Sequence, residues 1–448
     1  MTIVDPKGGD VELQRVHRVP EVEVKGFDET VKGGDVDPQC HHGKCTDIRG
    51  VFSIVLSAIG MGVVMLPTVF ASCGWLGGAF VLTLGVLFAG FAVSKLYMGI
   101  ALTPKGRGHV YTYEDLGRAC YGKWGRALTA AIVHVTMSGI CASLLVLLGE
   151  NTTKLIPSVS QRIWIIIWAV FFIPFTFLRT MHEVSYVAAV GMVSILTLFT
   201  VVSANGLLVG ITSKEPIVYD IFVPDFIEIA TNFGVCILSF NVTNSVATLV
   251  RDMAKPTHFV AVSRWAYGII FTVYFGIGVC GYFGYGRSLR DHPIMDSIVP
   301  PNEPVSGAWA YITLIAIVMS SVPHYVVLLL PIASSLEYVL NIDVDDNSRR
   351  AGIKRFLARL ACILFTTIIA VSVPNISSLL DILGSFTMVF MVAMMPCIYY
   401  MRIQQIVLGS LRAYVKAHKA ETVFILVVLT WCVPMIAVGS YGAIKNFG

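Results

Sequence analysis

Two short stretches combine residue types that an uninterrupted apolar helix has no use for. The first is Ser57-Ala58-Ile59-Gly60-Met61-Gly62-Val63-Val64-Met65-Leu66-Pro67, with two glycines and a proline within eight residues. Glycine and proline both oppose a continuous helix. Where a helix unwinds, it leaves free N–H groups and the positive end of a half-helix, and together these suit a carboxylate. The competing explanation is a close helix–helix contact through small residues. The second stretch is Ser239-Phe240-Asn241-Val242-Thr243-Asn244-Ser245, a dense polar patch in the middle of an apolar run. Such side chains either line a site or pair across helices. Ser57, Gly60, Met61, Gly62 and Val63 on one stretch, with Ser239, Phe240, Asn241, Thr243 and Asn244 on the other, are the candidate substrate-binding residues.

Other polar groups within apolar runs carry weaker expectations. Ser320 and Ser321 could supply hydroxyls to a sodium ion, and His324, beside Pro323, could carry a proton; these three are the ion-coupling candidates. His134 is a further proton carrier on the same reasoning. Lys95 lies about one and a half turns inside the end of its run and is expected to snorkel to that end. Asp381, Glu150, Glu183 and Arg179 stand at run ends, where water solvates them. Cys40-His41-His42-Gly43-Lys44-Cys45 has zinc-binding donor types in a cramped spacing, so no metal site is assigned. No nucleophile–base pair, metal cluster or phosphate loop occurs in a polar segment, which excludes an enzyme, and no cofactor is implied beyond a coupling ion, H+ or Na+. No basic cluster is interleaved with aromatics, so nucleic acid is not a partner.

The elements that position these residues follow from composition. Of 448 residues, 56% are apolar and 13% charged, with mean hydropathy +0.75. A soluble domain has roughly 25% charged residues; most of this chain has nowhere wet to put them. The formal net charge is +4. A membrane helix needs about 20 mostly apolar residues, and eleven such runs occur, at about 50–71, 76–101, 127–149, 162–179, 184–211, 228–249, 260–284, 307–340, 356–373, 378–401 and 422–444. The predicted fold is an all-α polytopic membrane bundle of 11 transmembrane helices. Pro323 and Pro331 are expected to kink the long eighth.

Residues 1–49 hold ten Asp/Glu, seven Lys/Arg and no apolar run of signal length, and are read as a disordered cytoplasmic tail. Residues 50–448 form the membrane domain. Lys and Arg concentrate in the loops on the tail's side, including Arg349, Arg350, Lys354 and Arg355. The N-terminus is therefore placed inside and the C-terminus outside. The 103–126 loop has the features of a short amphipathic surface helix, and Asn151-Thr152-Thr153 is a glycosylation sequon close to a helix end.

The first and sixth runs are corresponding members of two five-helix halves. Interruptions at matching positions in two halves are the best sequence pointer to a midplane transporter site. Neither interruption contains a carboxylate. A cationic substrate at the midplane would favour one nearby, so zwitterionic neutral amino acids are preferred over lysine, arginine, ornithine or polyamines.

Three segments carry a family resemblance. GMGVVMLPTVFASCGW (60–75) is similar to the Gly-x-Gly, Leu-Pro and Gly-Trp pattern of the amino acid/auxin permease family, YTYEDLGRACYG (111–122) to its stretch after the second helix, and ILGSFTMVFMVAMMPCIYY (382–400) to its tenth helix. The chain resembles this family after residue 49, its kinetoplastid amino acid permeases most of all. The resemblance implies a LeuT-like inverted repeat of five plus five helices with one extra helix. It also implies amino acid uptake driven by proton, sodium or membrane potential. By the family pattern the glycine segment holds the substrate carboxylate and the sixth helix the amino group. Many members carry Asn early in the first helix, where this chain has Ser53 or Ser57. The expected partners are an amino acid and the lipid bilayer, in the plasma membrane, with an acidic organelle as the alternative. A transporter-like amino acid sensor is the rival class, and no oligomeric state follows from the sequence.

Overall fold

A computed structural model of the chain describes residues 43, 45–59, 62–107, 110–177, 181–290, 294–299, 305, 307–340, 342, 348–372 and 380–445. The described part of each apolar run is helical apart from a break in the first and one in the sixth. Hydrocarbon offers no partner to backbone N–H and C=O groups, so each segment must satisfy its own. The helices are α1 (Asp47–Ala58), α2 (Gly62–Ala101), α3 (Tyr113–Leu155), α4 (Gln161–Phe172), α5 (Met181–Thr212), α6 (Phe226–Ser239) and α7 (Thr243–Asp252). They continue as α8 (Phe259–Tyr285), α9 (Ile294–Ile298), α10 (Ala308–Val339), α11 (Arg349–Ser372), α12 (Leu380–Leu408), α13 (Leu411–Ala417) and α14 (Lys419–Lys445).

Among the described residues, nine helices are long and apolar enough to cross a membrane. The count of eleven is not reached as full-length helices, for two physical reasons. The first run is divided between α1 and the opening turns of α2, and the fourth is the twelve-residue α4, closing in a 3-10 turn over Ile173–Phe177 that contains Pro174. α10 is helical without interruption through Pro323 and Pro331.

α2 contains two runs joined by a turn at Gly74 (φ 80°, ψ 175°). Only glycine adopts that backbone easily, and a Cβ there would come within 2.9 Å of the Asp220 and Ile221 backbone. The strap 213–225 crosses this turn and satisfies it. Trp75 N–H donates to Asp220 O (3.0 Å), Leu76 N–H to Ile221 O (2.9 Å) and Val223 N–H to Cys73 O (3.0 Å).

The short helix expected in 103–126 spans 113–120, opened by a capping box between Thr112 and Asp115. It does not lie on the surface. The chain reverses at Tyr121 and Gly122 (φ 68°), Gly117 and Gly125 let backbone pack on backbone, and Tyr113 and Glu114 are buried. Glu114 accepts from Ser335 Oγ (3.3 Å), which in turn meets His134 Nε2 at 2.9 Å.

α2 packs on α8 and α6, α10 on α5 and α3, and α14 on α6 and the π-wound Leu383–Met394 portion of α12. Small residues make the approaches close. Gly234 faces the Gly384–Ser385 backbone, and Gly439 lies 3.0 Å, by its virtual Cβ, from Ala230 O. Large apolar side chains such as Phe80, Leu87, Trp265 and Ile368 are exposed around the bundle, a surface that matches lipid.

Several expectations meet their outcome here. Lys95 does not snorkel: it is 6% exposed and pairs with Glu421 of α14 at 3.1 Å, between the Phe91 and Tyr400 rings. A carboxylate within reach removes the reason to extend toward water. Asn151 is buried in α3 and donates to Leu147 O (2.7 Å), which closes the sequon in the folded chain. The helix begins at Asp47, inside the stretch read as tail. The rest of that tail, apart from Gly43 and Cys45–Thr46, lies outside the described residues, as do most of the Cys40–Cys45 motif, Arg179 and the side chain of Glu183.

Candidate functional site

Both interruptions are present. α1 ends at Ala58, Ile59 is extended (φ −77°, ψ 100°), and α2 begins at Gly62. Gly60 and Met61, between them, lie outside the described residues. α6 ends at Ser239, and the chain passes through Phe240 and Val242 (φ −129°, ψ −6°) before α7 starts at Thr243. The second interruption is closed by a side chain: Asn241 Oδ1 accepts from the Thr243 hydroxyl (2.7 Å) and the Thr243 N–H (3.3 Å). That is the local hydrogen bonding by which Asn favours turns over helix.

The two interruptions touch. A Cβ on Gly62 would collide with the Ser239 side chain and reach 3.0 Å from its Cα, so the start of α2 rests on the end of α6 only because residue 62 is glycine. Ser239, Phe240, Thr243 and Val63 are all buried. Asn244 Nδ2 sits 2.8 Å from Met137 Sδ of α3, while its Oδ1 is buried with no protein partner. The site thus has two half-helix ends, an amide aimed at α3, and freed backbone groups. Such a set is chemically suited to a small molecule bearing both charges, an N-terminus for the anion and carbonyls for the cation.

Two residues that the sequence did not single out complete this arrangement. Tyr274 of α8 is fully buried, and its hydroxyl donates to Ala58 O (2.8 Å) and Ser239 O (3.0 Å), the terminal carbonyls of α1 and α6. Tyr267, two turns away on the same face, donates to Phe240 O (3.0 Å). The available signal was the seven-residue spacing of two tyrosines in an apolar run, since a buried tyrosine hydroxyl needs a partner.

The remaining candidates divide. Ser320 and Ser321 line a partly open cavity with Val64, Leu144, Leu147, Leu198 and Ile317. Both hydroxyls donate to Ile317 O (2.9 and 2.8 Å), which leaves their lone pairs for a cation. Ser57 turns from the site and donates to Ser53 O (2.8 Å). His324 approaches the Leu56 backbone, on α1 before the break.

Two described carboxylates, on α6 and α3, stand well away. Glu228 is eleven residues before Ser239 on α6, about 16 Å along the helix at 1.5 Å per residue. Asp381, at the start of α12, is in electrostatic reach of Glu228. Glu150, thirteen residues beyond Met137 on α3, pairs with Lys154 (3.4 Å), which also holds Asp296 (2.5 Å). Glu114 comes nearer through Ser335 and His134, one turn from Met137, but it is committed to that hydrogen-bonded chain.

The family described as transmembrane amino acid transporter protein matches residues 43–442. The amino acid transporter AVT1E of Arabidopsis thaliana is 23% identical over 394 residues, covering 84% of this chain and 70% of the relative. AVT1J of the same plant is 23% identical over 432 residues, covering 92% and 93%. AVT1B is 25% identical over 351 residues, and the match spans 61% of its length. Among solved structures, a Na+-coupled sialic acid symporter in its substrate-bound outward-open state superposes with a TM-score of 0.55 at 14% identity, covering 90% of each chain. That likeness is one of fold, and it agrees with the LeuT-like arrangement, whose first and sixth spans are the interrupted ones.

Proposed function

The chain belongs to the transmembrane amino acid transporter family, and from that premise we propose that it carries small neutral amino acids by cation-coupled alternating access. The observation that supports this most is the contact of Gly62 with Ser239, between two interruptions that contain no carboxylate. The substrate carboxylate meets the amides freed around Gly60 and Gly62, at the positive start of α2. Its ammonium meets the Phe240 carbonyl, which keeps a lone pair beyond the Tyr267 bond, and the side chain of Asn241. A lysine or arginine side chain would need a second anion, whereas Glu228 stands about three turns along α6 from the break and Glu150 is already paired with Lys154.

The driving ion is Na+ or H+. The Ser320 and Ser321 hydroxyls beside Val64 favour an oxygen-bound cation. The N-terminus lies on the cytoplasmic face and the protein works at the plasma membrane. Movement of α1, α2, α6, α7 and α8 against the remaining helices alternates access to the site.

The test is uptake of labelled amino acids by transport-deficient cells expressing the chain, in one competition panel with Na+ replacement and a pH series. Saturable uptake inhibited by neutral amino acids, and dependent on one of the two cations, is expected. Dominance by lysine, arginine or ornithine would overturn the neutral reading while keeping the family. Binding without flux in proteoliposomes would identify a sensor.

A further inference from the structure

We infer that Tyr274 is a positioning residue that fastens the two interruptions to each other, so that the substrate site exists only as a joint structure. This rests on the reading above that the interruptions hold substrate. The α1 and α6 helices both end here, and each presents terminal carbonyls with no intrahelical partner. Both ends carry the partial negative charge of a helix C-terminus. Ala58 O and Ser239 O lie 2.8 and 3.0 Å from one atom, the Tyr274 hydroxyl oxygen. Two like-charged ends do not approach one point unless something positive stands between them. Among the described groups, the positive partner at that point is the hydroxyl hydrogen, shared between the two carbonyls.

The surroundings fix the hydroxyl in place. Tyr274 is 0% exposed, and its ring packs on Phe240 with centroids 5.3 Å apart. Ser239 is the residue against which Gly62 rests. One side chain of α8 therefore sets the distance between the end of α1, the end of α6 and the start of α2. Tyr267 provides an internal control: it has the same chemistry on the same helix, but it holds one carbonyl of one interruption. Tyr113 and Tyr325 are also buried, and each hydroxyl satisfies a single partner, Met391 O and Thr366 respectively. A tyrosine placed only to fill the core would show that pattern.

Tyr274→Phe keeps the ring and removes only the hydroxyl. Compared with wild type, we expect the substrate KM to rise about tenfold or more with Vmax reduced less, at unchanged surface amount. Amide hydrogen exchange should quicken at both interruptions together, around 55–64 and around 236–243. Tyr267→Phe should quicken exchange around 236–243 alone, with a smaller rise in KM. In wild-type protein, a transported amino acid should slow exchange at both interruptions in parallel; this arm needs no variant to fold. A Tyr274→Phe protein with wild-type KM, exchange that changes at one interruption only, or substrate protection confined to one of them, would each overturn the inference. Absence of any amino acid uptake by the wild type would instead remove the functional reading, while exchange in Tyr274→Phe would still decide whether the two interruptions are fastened.

Discussion

The interruption between α1 and α2 is flanked by glycine and followed by Pro67, whereas the one between α6 and α7 contains neither glycine nor proline. The second is closed by its own Asn241–Thr243 hydrogen bonds, while the described part of the first is held by a partner, through Tyr274 on Ala58 O. One break is permitted by residues that cannot sustain a helix; the other is enforced by residues that bond their backbone in a different way. The permitted break brings bare backbone close to its neighbour, which suits a carboxylate. The enforced break brings fixed oxygen acceptors, which suit an ammonium.

The sharpest way to break this contrast is to give the permissive side a side chain. Gly62→Val should reduce uptake about 100-fold or more while the protein still reaches the membrane, because the added atoms meet Ser239. Overpacking of this kind costs roughly 1–3 kcal/mol even where the surroundings can yield, and here the surroundings are the site itself. Initial-rate uptake with surface labelling checks it, and Gly62→Ala combined with Ser239→Gly should recover part of the loss. Full activity in Gly62→Val would remove the contact from the site.

On the enforced side the expected effect is smaller. Asn241→Ala removes two hydrogen bonds to Thr243, worth about 0.5–1.5 kcal/mol each, so KM should rise about tenfold. Asn241→Asp retains the acceptor and should lose less than Asn241→Ala. Equal kinetics in the two variants would show that the closing bonds do not shape the site.

The contrast also explains what the residues alone reveal. Gly60, Gly62 and Pro67 mark the first break because their backbone preferences are local, and the polar density of 239–245 marks the second. Long apolar runs reveal the bundle for the same local reason. Tertiary partners are not local. Tyr274 in an apolar helix reads as packing until its two carbonyls are seen, and Lys95 reads as a snorkelling residue until Glu421 arrives from the last helix. The strap 213–225 shows nothing in its composition of the Gly74 turn it satisfies. Eleven hydrophobic runs are legible, and so is the break in the first, but not that the fourth is short.

Ser320 and Ser321 test whether ion and substrate are held in separate places. Replacing both by alanine should raise the half-saturating concentration of the driving cation several-fold, by the loss of two oxygen ligands. Amino acid exchange without a cation gradient should change little, since both hydroxyls bond to Ile317 O of their own helix. Cation titration of uptake against counterflow separates these arms; an equal loss in both would merge the two sites.

The smallest effect should come from the turn within α2, where charge holds the strap over Gly74. The Asp220 carboxylate pairs with Arg287, through Nη2 and through Nε at 2.9 Å, and with Arg290 Nη2 at 3.0 Å, while Arg290 Nε reaches Ala71 O (2.8 Å). Hydrogen bonding to the Arg287 guanidinium holds the Asp220 carboxyl below its ordinary value of 3.8. A lowered folded-state value means that the ionised latch stabilises the strap fully above the ordinary aspartate range and fails only as pH falls through the lowered value. Exchange of the Trp75 and Leu76 amides, which the strap holds, should therefore stay flat from about pH 8 to about pH 5 once corrected for intrinsic rates, and quicken only below about pH 4. Asp220→Asn should quicken it modestly at neutral pH, as exposed pairs contribute little, without raising substrate KM as Asn241→Ala does. If Asp220→Asn instead matches Asn241→Ala in KM, the strap and the interruptions act as one unit, and the division between a site of freed backbone and a cap of paired charges fails.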